Sequence, residues 1–502
     1  MVLVQQDVDD WMHQVPDGRM QTQRYRILFM SLLALLLMAG FPAAQEPALG
    51  PAGPTEWQYD QVIRRKGPPL LGLVLEHNRT QVRITCIRRK PGAPTLLFTD
   101  TVPREEVVEL RLLPEEQRKK LVARLEALRR ERELLNALTR ALDPSEKPPE
   151  WPADMLELEK TTWPGDEKIQ ALRYRSTYFE LVAATRPEIV QLSAVQLEQV
   201  YEAYARLLPA RAKEATPTTI LLPRSLGEYQ SIAKSRGLNL LNPAFYDPQR
   251  NQVVCGSDLE RLCEERDNIR RHHLQLRADI RARRAELNKI YKGRPPSGLL
   301  APMAEAEKRI ALSEEKNGQL LARSRERLFE RLYHEAFHAY LGTFVFPGEE
   351  YAVPVWLNEG LAQIFETARV EVGELQVGLP EGRRLKAAQA ALEKGELPSL
   401  RTLLGSGPKE FLVGHDSERL SSDRYYLASW ALTHYLAFER RQFSGSALET
   451  YVRSLARGTD PLQAFRNLVQ EPLDVLEGKW HRYVQKLRPD GRVVAPEPLE
   501  SR

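Results

Sequence analysis

His334 and His338 stand four residues apart in the run His334-Glu335-Ala336-Phe337-His338, and Glu359 follows in Trp356-Leu357-Asn358-Glu359-Gly360. On a helix, residues at i and i+4 share a face with their Cβ atoms about 5–6 Å apart. Two imidazoles so placed can converge on one metal ion, at roughly 2.0–2.1 Å each for zinc. Glu335, next to the first histidine, lies beside such an ion and can take a proton from its water. Twenty residues separate His338 from Glu359. That is room to end one helix, form a loop and begin a second helix carrying a third ligand. Water in the fourth position would complete the open site that a catalytic zinc needs. Gln363, one turn beyond Glu359, is placed to hydrogen-bond a ligand histidine.

The surrounding residues supply those helices. Leu328, Leu332, Phe337 and Leu341 form an apolar stripe at helical spacing, with Gly342 as a stop signal. The run from Leu357 to Thr367 reads as the second helix, with Leu361, Ile364 and Phe365 on its apolar side.

HEAFH followed by WLNEGLA resembles the gluzincin branch of zinc metallopeptidases, the thermolysin-like and aminopeptidase-N-like group. The likeness is close over roughly residues 320–370 and looser over 425–440. The chain is also similar to a bacterial family of secreted proteins with this motif, a likeness that leaves the substrate open. The gluzincin resemblance implies one Zn2+ per chain, held by His334, His338 and Glu359, with Glu335 as general base and a peptide or protein as substrate. It further implies a tyrosine or histidine beyond the third ligand that stabilises the oxyanion. Tyr426 is the first choice and His434 the second, both within Tyr425–Tyr435 and eight residues apart. A small sheet ahead of the motif helix is implied as well, its edge strand holding an extended substrate by main-chain bonds. The proline inside Phe245–Cys255 makes that segment the candidate edge. The chain has no G-x-M-E-N segment upstream, so the group that holds a substrate's free amine in the aminopeptidases has no counterpart here.

At 502 residues, 42% hydrophobic and 28% charged, the composition is that of a globular protein with an ample core. A net charge of +4 carries no nucleic-acid footprint. Cys86, Cys255 and Cys263 are too few for a disulfide framework and lack zinc-finger spacing. Arg24-Tyr25-Arg26, the apolar run Ile27–Phe41 and Pro42-Ala43-Ala44 have the three parts of a secretory signal. The run is shorter than the ~20 residues of a membrane span, so residues 1–44 read as a cleaved signal peptide. Met20 is an alternative start, because Asp7, Asp9, Asp10 and Asp17 make the first 19 residues acidic. The protein is therefore expected outside the cytoplasm, with a membrane partner only if the apolar segment is retained.

The fold class expected is α+β, mostly helical. Residues 45–56 read as a linker, 57–112 as a small β module, and 113–150 as a helical connector ending in prolines. Residues 151–488 read as the metallopeptidase-like domain, with a helical hairpin inserted at about 257–325, and 489–502 as a disordered tail. The adjacent His272 and His273 point to different faces of that hairpin and read as solvated. The function expected is zinc-dependent hydrolysis of peptide bonds by an exported enzyme. Two alternatives stay open: a non-catalytic envelope protein that keeps a zinc site, and a zinc hydrolase of a non-peptide amide.

Overall fold

The computed structural model describes residues 57–141, 156–491 and 493, with short breaks at 66–67, 91–92, 213, 239–241, 372–373, 378, 412–415 and 444–445. The signal-like segment, the linker, the connector's prolines and most of the C-terminal tail lie outside the described residues. The chain is α+β and mostly helical, 56% helix against 18% strand, with a sheet module ahead of a helical C-terminal region.

Strands β1 (Asp60–Arg64), β2 (Leu70–His77), β3 (Gln81–Arg88), β4 (Leu96–Pro103) and β5 (Val107–Arg111) form an antiparallel sheet in the order β4-β3-β2-β1-β5. Alternation sends Val62, Val74, Val82, Ile84 and Phe98 into one core. The opposite face, with Leu73, Ile87 and Leu97, is covered by Leu121, Leu125 and Leu128 of helix α1 (Glu115–Ala141). Gly72 lets β2 press onto β3: a Cβ there would fall 1.9 Å from the Thr85 carbonyl oxygen.

The second sheet contains β6 (Glu159–Trp163), β7 (Asp166–Arg175), β8 (Phe179–Ala183), β9 (Thr218–Leu222), β10 (Ala244–Asp247) and β11 (Gln252–Cys255), ordered β10-β11-β9-β8-β7-β6. Parallel pairing of β8 with β9 requires a crossover, which helix α2 (Pro187–Leu207) supplies. Helix α3 (Leu226–Ser235) follows β9, capped by Ser225 on the Glu228 N–H. Phe245–Cys255, expected as one interrupted strand, is instead a hairpin. Pro248 sits in its turn, β10 forms the sheet edge, and β11 lies inside between β10 and β9.

Helices α4 (Leu259–Ile290) and α5 (Ser297–Tyr340) form the hairpin, turning at Pro295-Pro296. Its second arm does not stop near 325; it runs on as the motif helix. The reason is a stripe at helical spacing, buried at Ile310, Ser313, Asn317, Leu321, Leu328 and Leu332 and half-buried at Ser324 between them, which carries the helix on. His273 also departs from expectation. It is buried under α5, with Nδ1 3.2 Å from the Glu314 carboxylate.

Helix α6 (Val355–Glu366) carries Glu359 and leads into a hairpin, β12 (Arg369–Glu371) and β13 (Glu374–Gln376). This hairpin joins the N-terminal sheet: β13 pairs in parallel with β4 at Leu97, extending the order to β12-β13-β4-β3-β2-β1-β5. The remaining helices are α7 (Gly382–Glu393), α8 (Leu400–Leu404), α9 (Asp416–His434), α10 (Ala447–Ala456), α11 (Pro461–Val469) and α12 (Leu473–Lys486). One apolar core joins the second sheet to α2, α5, α6 and this C-terminal layer. All three cysteines are free and buried. Among the described residues, no helix is long and apolar enough to cross a membrane.

Candidate metal centre

The motif helix is locked from beneath. Tyr204 of α2 donates to the Tyr333 carbonyl at 2.6 Å, and Tyr340 donates to the Leu208 carbonyl at 2.7 Å. Phe337 stacks on Phe365 of α6 at 5.2 Å, and Tyr204 closes edge-on over Phe365 at 4.6 Å. Each such fully buried aromatic contributes about 1.5–3 kcal/mol. Together they hold α5 and α6 so that their polar faces meet.

There, His334, His338 and Glu359 present ligand atoms that all lie within 4.8 Å of one another. His334 Nε2 is 3.3 Å from one Glu359 oxygen, and His338 Nε2 is 3.5 Å from the other. The two rings meet edge to face at 4.7 Å. Two imidazoles and a carboxylate converging like this form a set that a divalent ion such as zinc accepts, so the residues fit a metal.

Each histidine is oriented by its other nitrogen. His338 Nδ1 lies 2.9 Å from Asn358 Oδ1, and His334 Nδ1 lies 3.4 Å from Glu366. Arg384 of α7 backs Glu366 at 3.2 Å and also donates to the Gln363 carbonyl at 3.1 Å. Gln363, expected to reach a ligand histidine, instead donates to the Tyr426 carbonyl at 3.1 Å and the Glu359 carbonyl at 3.2 Å. Its amide ties α6 to α9, while Asn358 and Glu366 serve the histidines. A signal for Glu366 was present: it lies seven residues after Glu359, two turns on along the same helix face.

The charges agree with a cation cradle. Burial alone would lower the His334 pKa, yet Glu359 and Glu366 outweigh it and raise it well above the ordinary histidine value. Burial would raise the Glu366 carboxyl, but the bond to His334 and the charge of Arg384 bring it down to about 2. For Glu359, burial is likewise overcome by His338 and His334, and its pKa is lowered. In the protein without metal, a proton on the His334 imidazole offsets the carboxylates; a metal ion takes over that positive charge.

Glu335 is buried on the same helix. It directly follows His334 in the chain, one turn before His338. Burial first, then the charges of Glu359, Glu335 and Glu366, push the Tyr426 phenol upward and keep it protonated. Its hydroxyl rests 3.4 Å from the Phe411 carbonyl. His434 is buried with Nδ1 2.8 Å from the Tyr483 hydroxyl, its ring packed by Trp430 and Phe438.

Gly360 sets how closely α9 packs on α6. A Cβ there would fall 2.2 Å from Thr433 Oγ1 and 2.5 Å from the Ser429 carbonyl oxygen, so α6 and α9 cross almost backbone to backbone. Gly360→Ala is expected to cost about 1–3 kcal/mol as the helices part, read as a lower denaturant midpoint at an unchanged slope. Glu366→Gln is expected to keep the fold and weaken zinc binding about 10–100-fold, measured by competition with a chromophoric chelator.

Residues 330–458 match one family model, described as "Protein of unknown function (DUF1570)". The match begins four residues before His334 and takes in all three candidate ligands, Glu335, Glu366, Tyr426 and His434. No curated protein matches the chain.

Proposed function

We propose that this protein is an exported, zinc-dependent metallopeptidase that hydrolyses peptide bonds with water. The observation that carries this reading is the convergence of His334, His338 and Glu359 on one point, with Glu335 next to His334 on the same helix. When bound, zinc polarises the scissile carbonyl and acidifies water, from a pKa of ~15.7 towards ~7. Glu335 accepts the proton of the attacking water and passes it to the leaving amine. Tyr426, held neutral by its surroundings, turns from the Phe411 carbonyl to donate a hydrogen bond to the oxyanion of the tetrahedral intermediate. Asn358 and Glu366 hold the two imidazoles in the tautomer that leaves each Nε2 for the metal.

A general base beside the triad separates this reading from that of a purely structural metal site, which has no use for one. The deciding experiment measures zinc by elemental analysis alongside cleavage of a mixed peptide library, for wild type and Glu335→Gln. Stoichiometric zinc in both, with cleavage only by wild type, supports the proposal. Zinc without cleavage of any peptide by wild type would overturn it, and activity on wall fragments alone would redirect it to a non-peptide amide. Tyr426→Phe is expected to lower kcat about 10²–10³-fold at unchanged zinc content and near-constant KM, the pattern of a bond made only in the transition state.

A further inference from the structure

The α4–α5 hairpin leaves the body of the protein. Between Arg277 and Glu305 the only buried side chain is Leu287, so the distal half of the hairpin touches little but itself. Its turn is closed by its own backbone: Tyr291 N–H to the Leu287 carbonyl at 2.9 Å, Gly293 N–H to Asn288 at 2.7 Å and Arg294 N–H to Tyr291 at 3.0 Å. Gly293 sits at φ +83°, in the left-handed region that such a turn requires.

This closed tip presents an unusual set of side chains to solvent. Ile290 is 60% exposed, and Tyr291 and Leu299 are each 41% exposed. Single exposed apolar residues need no explanation, but these three all fall at the turn end of one projecting hairpin. Lys289, Lys292 and Arg294 flank them, all exposed and in no ion pair with the described residues. From Leu287 to Ala304 there is no aspartate or glutamate. The two long helices on either side are otherwise laced with carboxylates that pair with their arginines, such as Glu286 with Arg283 and Glu307 with Arg284.

We propose that the hairpin tip docks on an anionic lipid surface, the three cations meeting headgroup charge while Ile290, Tyr291 and Leu299 enter the interface. Aliphatic and tyrosine side chains ringed by lysine and arginine are what the water–lipid boundary accommodates. Three uncompensated positive charges beside exposed apolar side chains are complementary to an anionic headgroup layer over a hydrocarbon interior. The tip and His334 lie on one helix, 35 residues apart from Leu299, or ~50 Å along its axis. Docking would hold the metal centre at that stand-off. The inference does not depend on the metal chemistry.

The test uses the full chain with Ser297→Cys. Because the three native cysteines are buried, an environment-sensitive thiol dye reports from the tip, whatever the N-terminal apolar segment does. Vesicles of phosphatidylcholine with 30 mol% phosphatidylglycerol should shift the dye emission to the blue, whereas phosphatidylcholine alone should not. Joint reversal of Lys289, Lys292 and Arg294 to Glu should weaken the partition measured by the dye roughly a hundredfold or more. Ile290→Ser with Tyr291→Ser should abolish the blue shift; these exposed changes leave the thermal melt in place. Vesicle sedimentation of the chain without a dye shift would overturn the proposal by assigning binding elsewhere. An equal shift with soluble polyglutamate would overturn it in favour of an acidic polymer.

Discussion

Glu335→Gln is expected to bind zinc at the wild-type ratio and to lose about 10²–10⁴-fold in kcat, the range a positioned general base contributes. The substitution is nearly isosteric and leaves the three ligand side chains untouched, so metal content separates the two roles on this helix. His334 is fixed by Glu366 and His338 by Asn358, two contacts in which Glu335 takes no part. What changes is confined to proton transfer, since an amide cannot take the proton of the attacking water. Single-turnover cleavage of a fluorogenic peptide, with elemental analysis of the same sample, reads both quantities. A variant that keeps cleaving at the wild-type rate would remove Glu335 from the chemistry and with it the proposed mechanism.

His338→Ala is expected to lose zinc and activity together, and also to lose the response of stability to chelator. A ligand that binds only the native state stabilises it by about 4 kcal/mol when present at 1,000 times its dissociation constant. Wild-type protein should therefore melt at a lower temperature after chelation, while the variant melts at one temperature with or without chelator. The emptied site is expected to keep its shape, because Glu359 and Glu366 already hold His334 by charge. Circular dichroism of the metal-free protein should thus match that of the loaded one. A chelator-insensitive wild type that retained activity would exclude a metal from the reaction.

Much of the centre was legible as pattern. The four-residue interval fixes two histidines on one face, and the stripe Leu328, Leu332, Phe337, Leu341 identifies the opposite face, all of it buried. Glu359 could be placed because the segment after it has its own apolar periodicity. What could not be read were partners supplied across elements. Arg384 lies on a helix that nothing in the motif points to. Nothing local marks Gly360, whose need for no side chain comes from α9 lying against it. Gln363 shows the limit of spacing arguments: it lies one turn from Glu359 as expected, yet its amide faces the carbonyl of Tyr426. The hairpin was legible as two heptad-like runs, but not that its second arm continues into the motif helix, because the charged stretch between them hides a single buried stripe. His273 misled for the same reason. A histidine amid arginines and glutamates reads as solvated, and only tertiary packing puts Glu314 beside it.

The strand added at β4 bears on how this chain acquires its shape. The first five strands emerge early in synthesis, but β4 stays an open edge until Glu374 arrives to pair beside Leu97. A fragment ending before that point carries a row of unpaired amides and carbonyls next to Leu96 and Phe98, the kind of edge that recruits other chains. Contacts so distant along the sequence form late. The N-terminal sheet is therefore completed only after the helix bearing Glu359 and Glu366 has been made.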